Sequence, residues 1–184
     1  MSLARPARPR VDPDPDVLAA NRGQYTANVM GTLGLNPELP KAISAMGGFV
    51  INEASTPRRQ RELVILRTGW NCGAQYEFGQ HTIFGREAGV TEAEIVALTR
   101  PLITFPWAED DRLLLEMADE LYTDCCVTDA TWAKLAARWT PREILEFIAA
   151  VGMYFLISSI LNTFGVELDE GVPGWPEVAP PSGA

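Results

Sequence analysis

The strongest constraint on this chain is a long apolar run near its end. Thr140-Pro141-Arg142-Glu143 combines a capping box with a proline at the first helical position. The helix opened there reaches Phe164 before Gly165, and from Ile144 to Leu161 only Glu146, Ser158 and Ser159 interrupt its apolar residues. A helix apolar nearly all round belongs in a membrane, a core or a subunit interface. A membrane span needs roughly 20 apolar residues. This run is shorter, carries a charge and follows amphipathic helices, so the sequence predicts burial in a core or between subunits.

The segments before it are also helical in pattern. Asp16 to about Leu33 reads as one helix carrying Val17, Leu18, Tyr25, Val29 and Met30, with Gly23 and Gly31 inside it. Pro37 to Asn52 follows, with Leu39, Ile43, Met46 and Val50 spaced for one face. Thr56-Pro57 predicts a capping hydroxyl and then proline at the first position of a helix running to about Trp70. Gly73 breaks the pattern, a further helix runs from about Ala74 to Glu87, and Gly89 closes it. Thr91-Glu92-Ala93-Glu94 is a capping box for a short helix to about Leu98, and two prolines make 100–106 a loop. Glu109 to Thr123 is amphipathic, and Thr128 or Asp129 caps a helix through Trp139. No segment alternates with period two. The expected fold class is all-α: one compact multi-helix domain over 16–168, between a flexible Pro-rich arm (1–15) and an irregular Pro/Gly-rich tail (169–184).

Charge and cysteine usage narrow the partners. The net charge of −9 argues against nucleic acid or an anionic membrane surface, both of which need clustered Lys and Arg. Arg5, Arg8 and Arg10 in the arm are answered at once by Asp12, Asp14 and Asp16. The arm lacks the apolar centre of a signal peptide. Cys72, Cys125 and Cys126 form a poor disulfide framework and no C-x-x-C pair, which suits reduced thiols in a cytoplasm. A single histidine leaves no His-rich metal site within one chain. No pattern for a nucleotide, flavin or metal is recognisable, and no cofactor is expected.

Chemistry points to Glu77 and His81. Four residues apart on a helix, they share a face and can meet. A carboxylate beside an imidazole sets which ring nitrogen carries the proton and favours the charged ring. The competing reading is a solvated surface pair. Gly79 and Gly85 in the same helix permit close approach of a backbone or ligand, and Tyr76, Phe78 and Phe84 supply aromatic surface. Glu62 lies on the preceding helix, which packs antiparallel across the Gly73 break, and either reaches the same site or pairs with Arg58 one turn earlier. Catalytic candidates are therefore His81, Glu77 and Glu62. Arg67, Tyr76, Phe78 and Trp70 are candidate substrate-binding residues, with Arg67 either paired elsewhere or holding an anionic group. Cys72, near a helix start, is a redox candidate or a small buried hydrophobe. Cys125 and Cys126 end an amphipathic helix and read as structural.

Over Glu62-Leu-Val-Ile-Leu-Arg67, Tyr76-Glu77-Phe78-Gly79-Gln80-His81, Arg86-Glu87-Ala88-Gly89 and Leu161-Asn162-Thr163-Phe164-Gly165-Val166, the chain resembles the carboxymuconolactone decarboxylase family, which includes the alkylhydroperoxidase-D-like proteins. The resemblance implies an all-α fold assembled into trimers or hexamers (a dimer is the alternative), with the active site near subunit contacts. In the family's peroxidase branch a glutamate corresponds to Glu62 and a histidine to His81, with a C-x-x-C pair between them. Here those two positions are Ala74 and Glu77, and disulfide exchange needs a resolving thiol. The decarboxylase-like branch lacks the pair and often shows a Glu–aromatic–x–x–His run like Glu77 to His81. The expectation is therefore a cofactor-free acid–base enzyme acting on a small carboxylated lactone or ring, most simply a decarboxylase. A thiol peroxidase using Cys72 and a non-enzymatic oligomeric small-molecule binder are the alternatives.

Overall fold

The computed structural model describes residues 6, 9–24 and 26–176, which form nine α-helices and no strand. In chain order these are α1 (Pro15–Ala20), α2 (Ala27–Leu33), α3 (Leu39–Gly48), α4 (Arg58–Asn71), α5 (Gln75–Glu87), α6 (Glu92–Ala97), α7 (Glu109–Asp124), α8 (Asp129–Ala136) and α9 (Pro141–Phe164). A π-helical turn, Phe49–Glu53, extends α3, and a 3-10 turn, Leu102–Thr104, sits in the loop before α7.

The centre of the fold is α4. Every residue from Arg61 to Gly69 is buried, because α5, α7 and α9 pack around it. Its apolar side chains serve three contiguous cores. Ile65 joins Val29, Leu33, Val50, Tyr154 and Ile157; Leu63 and Leu66 join Phe78, Ile95 and Leu98; Val64 joins Leu114, Met117, Leu135 and Phe147. Among the described residues α9 is the one helix long and apolar enough to cross a membrane, yet half of its most apolar stretch is buried against the other helices. It is a core helix, with Leu145, Phe155 and Leu156 left exposed on its outer side.

The predicted capping boxes form at Thr91 and Thr140, and Gly165 ends α9 in the left-handed conformation. Other boundaries moved. The single helix expected over 16–33 is two: α1 stops at Ala20, and a turn containing Gly23 at φ +82° leads to α2. Tyr25, assigned to that helix, lies outside the described residues. Thr56 does not cap α4. Pro57 holds the cap position in extended conformation, and Thr56 serves Glu146 and Arg61 instead. The helix expected to reach Trp139 ends at Ala136, three residues short.

The described part of the tail is tied to the body. Asp169 accepts from the backbone N–H of Asn28 (3.0 Å) and the hydroxyl of Tyr76. Val172 is buried, and Trp175 packs its ring on Trp70 and Phe78, with centroids 5.2 and 5.1 Å apart. Gly79 makes this crossing feasible. A Cβ there would sit 2.1 Å from the carbonyl oxygen of Pro173, so only glycine lets the tail lie this close to α5.

Candidate active site

Glycine at φ +59° (Gly73) turns the chain sharply between α4 and α5, so the two helices run back antiparallel. That turn brings Glu62 to His81. Nδ1 of His81 donates to Oε2 of Glu62 over 2.7 Å, and both side chains are buried. From the other side Oε1 of Glu77 lies 3.1 Å from Nε2. The approach is off the N–H direction, however, and Oε1 completes no hydrogen bond. Glu62 fixes the ring's orientation through the Nδ1 hydrogen bond, while Glu77 holds the Nε2 edge as an ion pair. The Arg58 alternative for Glu62 is closed, since Arg58 pairs with Glu87 at the surface. Residues 77, 81 and 84 share one face of α5 at the i, i+4, i+7 spacing, and the Phe84 ring stands edge-on to His81 at 5.4 Å.

The third wall comes from α9. The Tyr154 ring meets His81 edge-on with centroids 4.6 Å apart. Burial raises the Tyr154 hydroxyl well above its ordinary range, and the charges of Glu77 and Glu62 add to that. Beside Glu62, the Arg61 guanidinium is also buried and donates to the carbonyls of Ile51 (2.9 Å), Ala54 and Thr56. Burial lowers its pKa, against the pull of Glu62 and Glu146. Near the start of α9, the buried Glu146 accepts from the N–H groups of Ser55 (2.7 Å) and Thr56 (3.1 Å). Burial pushes Glu146 up, and the hydrogen bonds from Ser55, Thr56 and Arg142 outweigh it and hold the group low.

Electrostatics follow from this geometry. Burial alone would make His81 less basic. The charge and hydrogen bond of Glu62, then Glu77, overturn it and raise the imidazole to about 10. At neutral pH His81 therefore carries its proton. With Arg61 and His81 positive and two glutamates facing them, the formal charges offset, as a low-dielectric interior requires.

Five other sequence candidates find partners away from the imidazole. Arg67 grips Asp119 with two bonds (2.7 and 2.8 Å) and donates to the carbonyls of Leu98 and Arg100. Its donors are spent on α7 and the end of α6, so it is no anchor for a substrate carboxylate. Tyr76 is fastened to Asp169 and Val29, and burial with that partner raises its hydroxyl. Phe78 is fully buried beside Leu63 and Trp175, and Trp70 packs on Trp175. The helix explains this divergence: residues 76 and 78 lie about 100° to either side of Glu77. Cys72 is buried at the end of α4, where its carbonyl accepts from Asn162 (2.9 Å). Cys125 and Cys126, read as structural, are instead exposed. Sequence reasoning missed Tyr154 and Arg61, whose signal was polar character inside otherwise buried helices.

Fold and site together define an all-helical domain with an imidazole sealed between two carboxylates. Residues 37–118, the stretch holding Glu62, Glu77 and His81, match the model of the Carboxymuconolactone decarboxylase family. Solved structures share the fold. A protein of unknown function from Agrobacterium tumefaciens, bearing an AhpD antioxidant-defence label, is 21% identical over 80% of this chain and 97% of its own (TM-score 0.69). An alkylhydroperoxidase AhpD core protein from Ralstonia eutropha is 17% identical over 91% of this chain and 95% of its own (TM-score 0.75). The debrominase Bmp8, in complex with 2,3,4-tribromopyrrole, is 12% identical over 89% of this chain and 94% of its own (TM-score 0.73). No curated protein matches the chain.

Proposed function

We propose that this protein is an enzyme of cofactor-free acid–base type, a decarboxylase-like lyase acting on a small carboxylated lactone or ring. The observation that carries the reading is the state of His81: buried, oriented through Nδ1 by Glu62, and kept protonated with Nε2 beside Glu77. An imidazolium in a dry interior suits delivery of a proton to carbon. In the simplest scheme the bond between ring carbon and carboxylate breaks, and CO2 leaves. The electron pair stays as a dienolate, which the charged ring stabilises and then protonates from Nε2. Glu62 holds the ring in place and offsets its charge, and Glu77 adjusts its acidity. The peroxidase alternative has less support, because Ala74 and Glu77 stand at the dithiol positions and Cys72 is buried.

CO2 release from 4-carboxymuconolactone, measured for the protein and for His81→Ala, tests the proposal. Release that disappears in the variant is the expected result. Equal release from both would remove His81 from the chemistry, and release from neither would reject this substrate class. The proposal includes a homo-oligomer, supported by the exposed Phe155 and Leu156 on α9. Sedimentation should give a multiple of the 20.2 kDa chain, and Phe155→Asp should lower it. A monomer in both would reject it.

A further inference from the structure

His81 is closed off from solvent. It is 2% exposed, and Glu62, Glu77 and Tyr154 around its ring are buried too. A proton donor inside a sealed box does no work on a guest from solution until one wall moves. The fourth side chain at the ring differs from these three. Phe84 stands edge-on to the imidazole with centroids 5.4 Å apart, yet it is itself part-exposed. It borders His81 on one side and solvent on another.

The four walls are held to different degrees. Glu62 is bonded to Nδ1, and Glu77 is ion-paired at Nε2. Withdrawing either carboxylate would strip a buried charge of its partner, which is strongly destabilising. Tyr154 belongs to the core that holds Val50, Ile65 and Ile157, and displacing it would open a cavity there. Phe84 has no charge to strand, and among the described residues it belongs to none of the three cores. Its backbone, by contrast, is fixed. The carbonyl of Phe84 accepts from the N–H of Ala88 over 3.0 Å. Gly85 seats α5 so closely on α4 that a Cβ there would stand 3.2 Å from Leu66. In a helix a phenylalanine has two open χ1 rotamers, at about −60° and about 180°. Turning between them swings the ring aside while the helix stays in place.

We propose that Phe84 is the gate to His81. With its ring on the imidazole the site is shut, and a turn about its Cα–Cβ bond opens a passage to the imidazole from solvent. The other three walls stay where they are, so the charge pairing around His81 survives each opening. A shut gate keeps water from the imidazolium. An opening the size of one phenyl ring admits a small flat molecule and excludes a polymer. The gate rests on the acid–base reading only for its purpose, since its motion is a property of Phe84 and His81 alone.

The chain has one histidine, so exchange of its ring N–H protons with water can be followed by NMR without overlap. In the full chain, Phe84→Ala should speed that exchange about 10-fold or more, as removing a local closing contact does. Ile83→Ala trims a part-exposed neighbour two residues past His81, on the other side of α5, and should leave the rate unchanged. In the unchanged protein the rate should be flat at low urea, because turning one side chain exposes little surface. Should Phe84→Ala misfold, Phe84→Leu, which keeps part of the cover, should speed exchange to a smaller extent. Three results would overturn the gate. The first is an unchanged rate in the folded Phe84 variant, and the second is an equal gain in Ile83→Ala. The third is a rate in the unchanged protein that climbs from the first addition of urea, as it does when His81 meets water only through unfolding. None of these readouts involves turnover. An absence of CO2 release therefore leaves the gate untouched, and loss of the gate leaves the His81 chemistry to its own assay.

Discussion

Two buried charge clusters share helix α4 and are built to different standards. Around Arg67 four of the five guanidinium N–H donors are used: two in bonds to Asp119, which also accepts from Asn71, and two to backbone carbonyls. Around His81 the account is left open. Glu62 is engaged, yet Oε1 of Glu77 lies close to the ring without a hydrogen bond, and Ser158 is unpaired one turn along α9. A fully satisfied network rigidifies a fold. A cluster with a charged acid and leftover polar atoms is held ready for something else. Five residues separate Glu62 from Arg67 on the same helix, which is enough rotation to send one toward α5 and the other toward α7.

Substitutions can break this contrast. The largest effect expected is on turnover: His81→Ala should cost about 10²- to 10⁴-fold in the CO2 assay, the usual range for losing a positioned acid. A smaller loss would make the His81 cluster another structural knot. Next comes Arg67→Met, which strands Asp119 and should cost about 3 kcal/mol of stability in urea unfolding, the scale of breaking a largely buried pair. Turnover per folded molecule should stay unchanged, and a selective loss of turnover would erase the distinction between the clusters.

Changing pH sharpens the contrast further. His81 is raised from the ordinary 6.5 to about 10 in the fold, so it binds its proton more tightly folded than unfolded. The stability this contributes is complete below about pH 6.5 and is lost as pH rises toward 10. Urea midpoints should fall across that window, and Glu62→Gln should flatten the decline. A flat profile in the unchanged protein would contradict the assigned electrostatics. The smallest effect is at the surface: Arg58→Ala breaks a pair whose side chains are about half exposed, at 49% and 58%. It should shift unfolding by no more than about 0.5 kcal/mol. A larger shift would show that exposed pairs carry weight in this fold.

Much of the architecture was readable because its signals are local. Thr91 and Thr140 announce their helices through capping boxes, and Gly165 ends α9. Glu77 and His81 follow from a four-residue spacing. Where the local signal was ambiguous, tertiary contacts decided. Thr56 had the right chemistry to cap α4, but Pro57 holds the cap position and the Thr56 hydroxyl accepts from Arg61 instead. Arg67 had the right charge to hold an anion, and Asp119, on a helix far along the chain, claimed it. Tyr154 belongs to a run whose pattern said only that it was buried, so nothing local aimed it at His81.

By itself, then, the sequence determined the helices, their principal caps, and the pairing of Glu77 with the sole histidine, because each depends on residues within about two turns of one another. It also narrowed α9 to core or interface through composition. Only the tertiary structure decided that Glu62 takes Nδ1 and that α9 closes the third wall with Tyr154. Those depend on how three helices register against one another, which is set by the summed packing of α4, α5 and α9 rather than by any short segment.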